Sequence, residues 1–297
     1  MSTSSLHEGE KVTALTLAAK KKRGELITML TAYDYPTALA LDHAGVDSIL
    51  VGDSLGMVVL GYETTLSVTM EDMIHHSKAV SRGARRAHLI GDMPFMSYQV
   101  SSAEALRNAG RFLQEAGMDA VKLEGGRHMA STIAVIVAAG IPVMGHLGLT
   151  PQSIRKLGGW KVQGTSAEAA RRLVEDAHIL ENAGCYAVIL EAIPDRVAEV
   201  ITQRLHIPVI GIGAGAGCDG QVLVSNDLLG SFDRFTPRFA RKYADLSAVM
   251  EQAFRAYADD VTSRRFPAPE HSYHIGDEEF EALMQDLRMK PRNWRVV

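Results

Sequence analysis

Hydrophobic positions along the chain fall into short apolar runs separated by helical patterns. The strand-like runs are 26–32, 48–53, 87–93, 119–124, 141–148, 186–192, 207–213 and 221–227. Most gaps between them carry the 3.6-residue apolar spacing of a helix: 35–44, 70–82, 102–116, 128–139, 166–183 and 195–205. A helix over 12–23 precedes the first run, and a helical stretch over 237–264 follows the last. The gap 214–220 is too short for a helix. Three junctions repeat one plan: AGVDSILVGD, AGMDAVKLEG and AGCYAVILEA. In each, an Ala-Gly pair ends a helix, because glycine takes the left-handed cap at no steric cost. An apolar-rich strand then follows and delivers an acid. Strands that are apolar throughout belong in a parallel sheet covered on both faces. Eight of them alternating with helices at this length predict a (β/α)8 barrel rather than an open sheet.

The pattern also sets the domain organisation. No linker interrupts 24–265, which predicts one barrel domain over 1–265 that includes the N-terminal helix. Lys20 to Arg23 suit a helix C-terminus, with Gly24 as its cap. Pro267 and Pro269 open a tail, 266–297, in which Asp277 precedes an amphipathic helix bearing Phe280, Leu283, Met284 and Leu287. His271 and His274 have a spacing that suits metal, but a Pro-flanked tail is a poor cage for one.

Composition narrows the function classes. The chain has 297 residues, 46% hydrophobic and 22% charged, with a net charge of -4, so nothing favours nucleic acid. Two cysteines, Cys185 and Cys218, give no disulfide framework and suggest a reducing compartment. No run reaches the length of a membrane span and the N-terminus lacks a signal peptide's apolar core, so the expectation is a cytoplasmic protein.

Chemistry in such barrels sits at the C-terminal ends of the strands. Those ends supply Asp34, Asp53 with Ser54, Asp92, Lys122 with Glu124, His146, Glu191 and Asp227. Carboxylates crowded together oppose one another's ionisation, and a divalent cation such as Mg²⁺ or Mn²⁺ relieves the conflict. Asp34, ahead of Tyr35-Pro36, fits an N-cap. Asp53, Asp92 and Glu124 precede no evident helix, and function suits them better. Lys122 and Glu124 lie two apart on one strand face; a buried lysine there can form a Schiff base or sit as a fixed cation, and the neighbouring acids favour the cation. Glu191 closes AVILE, where partial desolvation suits a general base. His146 can donate to a substrate oxygen. Gly215, Gly217 and Gly220 match a dinucleotide spacing, but the strand-like QVLVSND follows in place of a helix, so a tight turn near ligand is expected.

The chain closely resembles the ketopantoate hydroxymethyltransferase family in LTAYDYP, LVGDSLGMV, GDMPFMSY, VKLEGG, GHLGLTPQS, GGWKVQG and IPVIGIGAG. The resemblance spans about residues 12–274. It implies a TIM barrel of the phosphoenolpyruvate mutase/isocitrate lyase type. It implies Mg²⁺ on Asp53, Asp92 and Glu124, with Asp53, Ser54, Asp92, Lys122 and His146 around the oxo acid and Glu191 as the base. The implied substrates are 3-methyl-2-oxobutanoate and 5,10-methylenetetrahydrofolate, at the first step towards pantoate, pantothenate and coenzyme A. The implied assembly is a cytoplasmic homodecamer, a pentamer of dimers. A lyase or mutase of the wider superfamily is the first alternative, but its reactive-cysteine loop is absent. A non-catalytic ligand-binding barrel is the second.

Overall fold

A computed structural model describes residues 9–232, 234 and 237–289. Eight parallel strands close into a barrel in sequence order. They are β1 (Ile27–Thr31), β2 (Ser48–Val51), β3 (His88–Asp92), β4 (Ala120–Glu124), β5 (Val143–Gly148), β6 (Ala187–Glu191), β7 (Val209–Ile212) and β8 (Gly220–Leu223). The β1–β8 pairing closes the ring, with Met29 opposite Val222.

Strand alternation sorts the side chains into two buried clusters. Met29, Leu50, Ile90, Ala120, Met144, Ile189, Ile210 and Val222 fill the barrel interior. Their neighbours one residue along, such as Ile49, Val51, Leu89, Val121, Leu123 and Val188, pack outward against the helices. Burial of both faces is why these strands read as continuous apolar runs. The 102–116 helix approaches β3 so closely that a Cβ on Gly91 would stand 2.2 Å from the Phe112 ring. Only glycine fits at that contact.

Most helices start and stop where the sequence signals. Thr13 and Thr16 form a capping box ahead of Ala14–Arg23, and Gly24 ends that helix at φ 69°. Asp34 caps Tyr35–His43 by accepting the Thr37 N–H at 2.8 Å.

Three elements differ from expectation. The eighth strand stops at Leu223, and residues Ser225–Leu229 form a short helix. Ser225 binds Thr31 through both its N–H and its hydroxyl, which turns the chain over the end of β1. Residues 237–245 are not helical. They fold back on the short helix, with the Tyr243 N–H donating to the Leu228 carbonyl. The helix expected over 237–264 is therefore Leu246–Thr262. A short helix, Leu55–Val58, also follows Asp53, although neither Asp53 nor Ser54 caps it with a side chain.

The chain divides into compact units at Asp245. The first holds the barrel. In the second, the Leu246–Thr262 helix has no buried residue and exposes Val249, Phe254 and Tyr257, and a last helix runs over Asp277–Met289. His271 accepts the Ala268 N–H and lies against Phe266. Among the described residues no helix is long and apolar enough to cross a membrane.

Candidate active site

Register brings the polar residues together. Asp92 pairs with Lys122 across β3–β4, Glu124 with His146 across β4–β5, and Gly148 with Glu191 across β5–β6. Asp92, Lys122, Glu124 and His146 share the inward parity of their strands and sit at the upper end of the interior. Asp53 arrives from the turn after β2, its backbone N–H donating to Asp92 Oδ2 at 3.2 Å. Each of the expected acids, the lysine and the histidine thus lies at one end of the barrel. Asp53, Asp92, Lys122, Glu124 and His146 are all buried.

The electrostatics follow from that burial. Lys122 Nζ lies 2.8 Å from Asp92 Oδ2 and 3.9 Å from Glu124 Oε1. Burial alone would lower the lysine pKa, but Asp92, Glu124 and Asp53 outweigh it and hold the ammonium well above its ordinary value. Burial pushes Asp92 up to about 7, with Lys122 opposing and the Asp53 and Glu124 charges adding to the rise. Burial likewise raises Glu124. His146 lies between two acids, its Nδ1 3.6 Å from Glu124 Oε1 and its Nε2 3.2 Å from Glu191 Oε2. Neither ring nitrogen is aligned for a directed hydrogen bond, so the contacts are electrostatic. Burial and Lys122 lower the imidazole pKa, yet the two carboxylates prevail and set it at about 9.

Residues given no role by sequence reasoning hold this arrangement. Gln152 follows β5 and is buried. Its amide donates to Asp53 Oδ2 at 3.0 Å and to the Met93 carbonyl at 2.9 Å, while its backbone N–H donates to Glu124 Oε2 at 3.0 Å. Tyr98 donates to Gln152 Oε1 at 2.6 Å, and its oxygen accepts the Glu124 N–H. Tyr33 and the Ser54 hydroxyl share a hydrogen bond of 2.9 Å. The signal available for all three was position alone: each lies in a loop after a strand end.

Glu191 is less enclosed than the acid cluster. The next residue, Ala192, has φ 47°, and hydrogen bonds to the Ile212 carbonyl and from the Gln163 N–H hold it there. Gly148, at φ 96°, passes so near that a Cβ would stand 2.2 Å from the Glu191 carbonyl oxygen. The base candidate therefore sits on a tightly determined bend.

A cavity of about 540 Å³ opens over the cluster. Asp53, Asp92, Lys122, His146 and Glu191 line one part of it, and Asp227, Met57, Trp160 and Phe239 line others. The glycine turn 213–217 contributes no lining residue, although Ile212 before it does. The turn leads straight into β8, as expected for a sequence that is not a dinucleotide fingerprint. Asp92 Oδ1 and Glu124 Oε1 are buried without hydrogen-bond partners. Among the described residues no trio of His, Cys, Asp or Glu is already closed into a ligand set. The free oxygens nonetheless suit a hard cation by chemistry.

Comparison with known proteins places this chain in a family. A sequence profile of ketopantoate hydroxymethyltransferase matches residues 11–269. The 3-methyl-2-oxobutanoate hydroxymethyltransferase of Syntrophus aciditrophicus (strain SB) is 59% identical over 273 residues, covering 92% of this chain and 100% of that one. The enzyme of the same name from Enterococcus faecalis (strain ATCC 700802 / V583) is 55% identical, covering 92% and 99%. Among solved structures, phosphoenolpyruvate phosphomutase from Streptomyces platensis subsp. rosaceus superposes with a TM-score of 0.57 at 15% identity, covering 93% and 97%. A 2,3-dimethylmalate lyase, a PEP mutase/isocitrate lyase superfamily member, gives 0.56 at 15% identity, covering 93% and 96%. The chain thus shares the barrel fold of these solved structures. With the profile spanning the barrel and relatives matched along nearly their whole length, the chain belongs to the ketopantoate hydroxymethyltransferase family of enzymes.

Proposed function

We propose that this enzyme transfers a hydroxymethyl group from 5,10-methylenetetrahydrofolate to 3-methyl-2-oxobutanoate, giving ketopantoate and tetrahydrofolate. The observation that carries the proposal is the buried Lys122 among Asp53, Asp92 and Glu124, with Glu191 on the same cavity. A small anionic oxo acid needs a fixed cation, and C–H removal needs a base nearby.

Asp53, Asp92 and Glu124 would hold Mg²⁺, which the unpartnered Asp92 Oδ1 and Glu124 Oε1 favour. When bound, the ion supplies Lewis-acid polarisation of the 2-oxo group. Lys122 binds the substrate's negative charge and stabilises the charge that develops on the oxo oxygen. Ser54, oriented by Tyr33, hydrogen-bonds the carboxylate or oxo oxygen. Glu191 takes the C3 proton. His146 holds Glu191 in place through its charge and can donate to a substrate oxygen. The incoming carbon is at the oxidation level of formaldehyde, so the new C–C bond forms with no redox change. One water is consumed, and its oxygen becomes the product hydroxyl. Gln152 and Tyr98 fix the carboxylates, so orientation is settled before substrate arrives.

This step opens the route to pantoate, pantothenate and coenzyme A. A cytoplasmic homodecamer completes the proposal, and the exposed Val249, Phe254 and Tyr257 give an assembly an apolar surface to cover.

The test is hydrogen exchange at C3. Incubated with Mg²⁺ and without folate, the enzyme should wash deuterium out of 3-deuterated 3-methyl-2-oxobutanoate. No washout with Mg²⁺ present would overturn the enolising step.

A further inference from the structure

Resting on that function, we propose that Asp227 binds the 2-amino-4-oxopyrimidine edge of the folate, and that the β7–β8–β1 side of the cavity is the pterin site. Asp227 lies on the short helix after β8, lines the cavity and is only 7% exposed. Its carboxylate has no hydrogen-bond or ion-pair partner among the described residues, and it caps no helix. An unpartnered carboxylate buried on a ligand cavity is costly to the fold and is explained by the ligand it meets. Burial pushes its pKa up to about 6, with Lys242 opposing from a distance.

Topology separates Asp227 from the chemistry already assigned. In a closed ring of eight strands, β8 stands opposite β4. Asp227 therefore faces Lys122 and Glu124 across the mouth, and the Asp227 and Asp53 charges both act on Tyr33. The oxo acid belongs on the lysine side, since Asp227 repels an anion. Glu191, on β6, stands between the two sides. The far side is walled by apolar groups, including Ile212, Val222, Val224 and Phe239. A five-carbon oxo acid fills little of a 540 Å³ cavity, whereas a flat heteroaromatic ring suits these walls.

The acid matches one edge of that ring. A pterin presents its 2-amino group and N3–H as adjacent donors, spaced like two N–H groups of a guanidinium. A carboxylate accepts both in the paired geometry used for arginine. With that edge on Asp227, the opposite, methylene-bearing side of the pterin is directed towards the lysine half, where C3 is deprotonated.

The test is Asp227→Asn in the full-length enzyme. The variant keeps the shape but sets an amide N–H against the pterin 2-amino group. The Kd for tetrahydrofolate and the KM for methylenetetrahydrofolate should rise about 10- to 100-fold. The KM for the oxo acid should change less than about threefold. A 2-desamino tetrahydrofolate should bind wild type and Asp227→Asn alike. Unchanged folate affinity in Asp227→Asn overturns the proposal, as does a parallel loss of folate-free C3 deuterium exchange. Failure of the proposed function reads differently: wild type itself would then show no Mg²⁺-dependent exchange.

Discussion

Lys122 Nζ stands 2.8 Å from Asp92 Oδ2, with side-chain exposures of 5% and 1%. The lysine is the cation that keeps three carboxylates compatible. Lys122→Met removes it and retains the apolar stem. Loss of one partner of a buried pair costs about 3–5 kcal/mol, part of which Asp92 recovers by taking a proton. The expected result is a lower Tm that Mg²⁺ partly restores, with a raised KM for the oxo acid. Thermal scans with and without Mg²⁺ check the first, and steady-state kinetics the second. Borohydride added with the oxo acid should leave wild-type Lys122 unlabelled; a covalent adduct there would identify a Schiff-base enzyme instead.

Glu191 touches His146 but no other member of the acid cluster at hydrogen-bonding distance. Glu191→Gln should therefore remove the proposed proton acceptor and leave the proposed cation site intact. The rate of C3 deuterium loss should fall about 10²- to 10⁴-fold, the usual worth of a positioned general base. Mn²⁺ affinity, measured by the EPR signal of the free ion, should be unchanged. Near-normal exchange in this variant would remove Glu191 from the role.

Gln152 joins Asp53 to Glu124 through its side-chain amide and its backbone N–H. Gln152→Met keeps the volume and the backbone contact but loses the clamp on Asp53 and the Met93 carbonyl. Residues that orient ligands are worth about 10- to 100-fold in metal affinity, and that is the weakening expected for Mn²⁺. Tyr98→Phe should give a smaller loss, because it frees Gln152 Oε1 and the Glu124 N–H but keeps both Gln152 contacts to the carboxylates. If Gln152→Met binds Mn²⁺ as wild type does, the glutamine acts in packing alone.

Strand geometry explains what was legible in the sequence. Lys122 and Glu124 belong on one face because side chains in a strand alternate, and an acid after an apolar run marks a strand end. Asp53, Asp92, His146 and Glu191 follow from the same rule. Gln152, Tyr98 and Tyr33 do not, because they reach the site from a single 3₁₀ turn, Pro151–Ser153, and from irregular loops whose path no periodicity encodes. Asp227 is legible as an acid near the mouth, but it lies on the Ser225–Leu229 helix and not on the strand expected over 221–227. The Ser225–Thr31 hydrogen bonds that end β8 early join residues far apart in sequence. The helix expected from 237 fails for a similar reason, since the Tyr243–Leu228 contact draws that segment back onto the short helix.

The opposite end of the barrel makes its own prediction. His88 begins β3 with its ring buried, Nε2 3.0 Å from the Tyr186 hydroxyl and Nδ1 3.8 Å from Asp119 Oδ2. Lys11 Nζ is 2.6 Å from the same Asp119 oxygen. Burial lowers the His88 pKa to about 4, with Asp119 opposing and Lys11 adding to the fall. The unfolded chain restores an ordinary value of about 6.5. Between those values the unfolded state binds the extra proton, so stability declines as pH falls from about 6.5 through 4. His88 should account for about 3 kcal/mol of that decline. His88→Gln removes the titration and keeps a group able to meet Tyr186. Denaturant unfolding at pH 7 and at pH 4.5 should show a smaller acid-induced loss in the variant than in wild type. Equal losses would mean that His88 does not drive the acid limb.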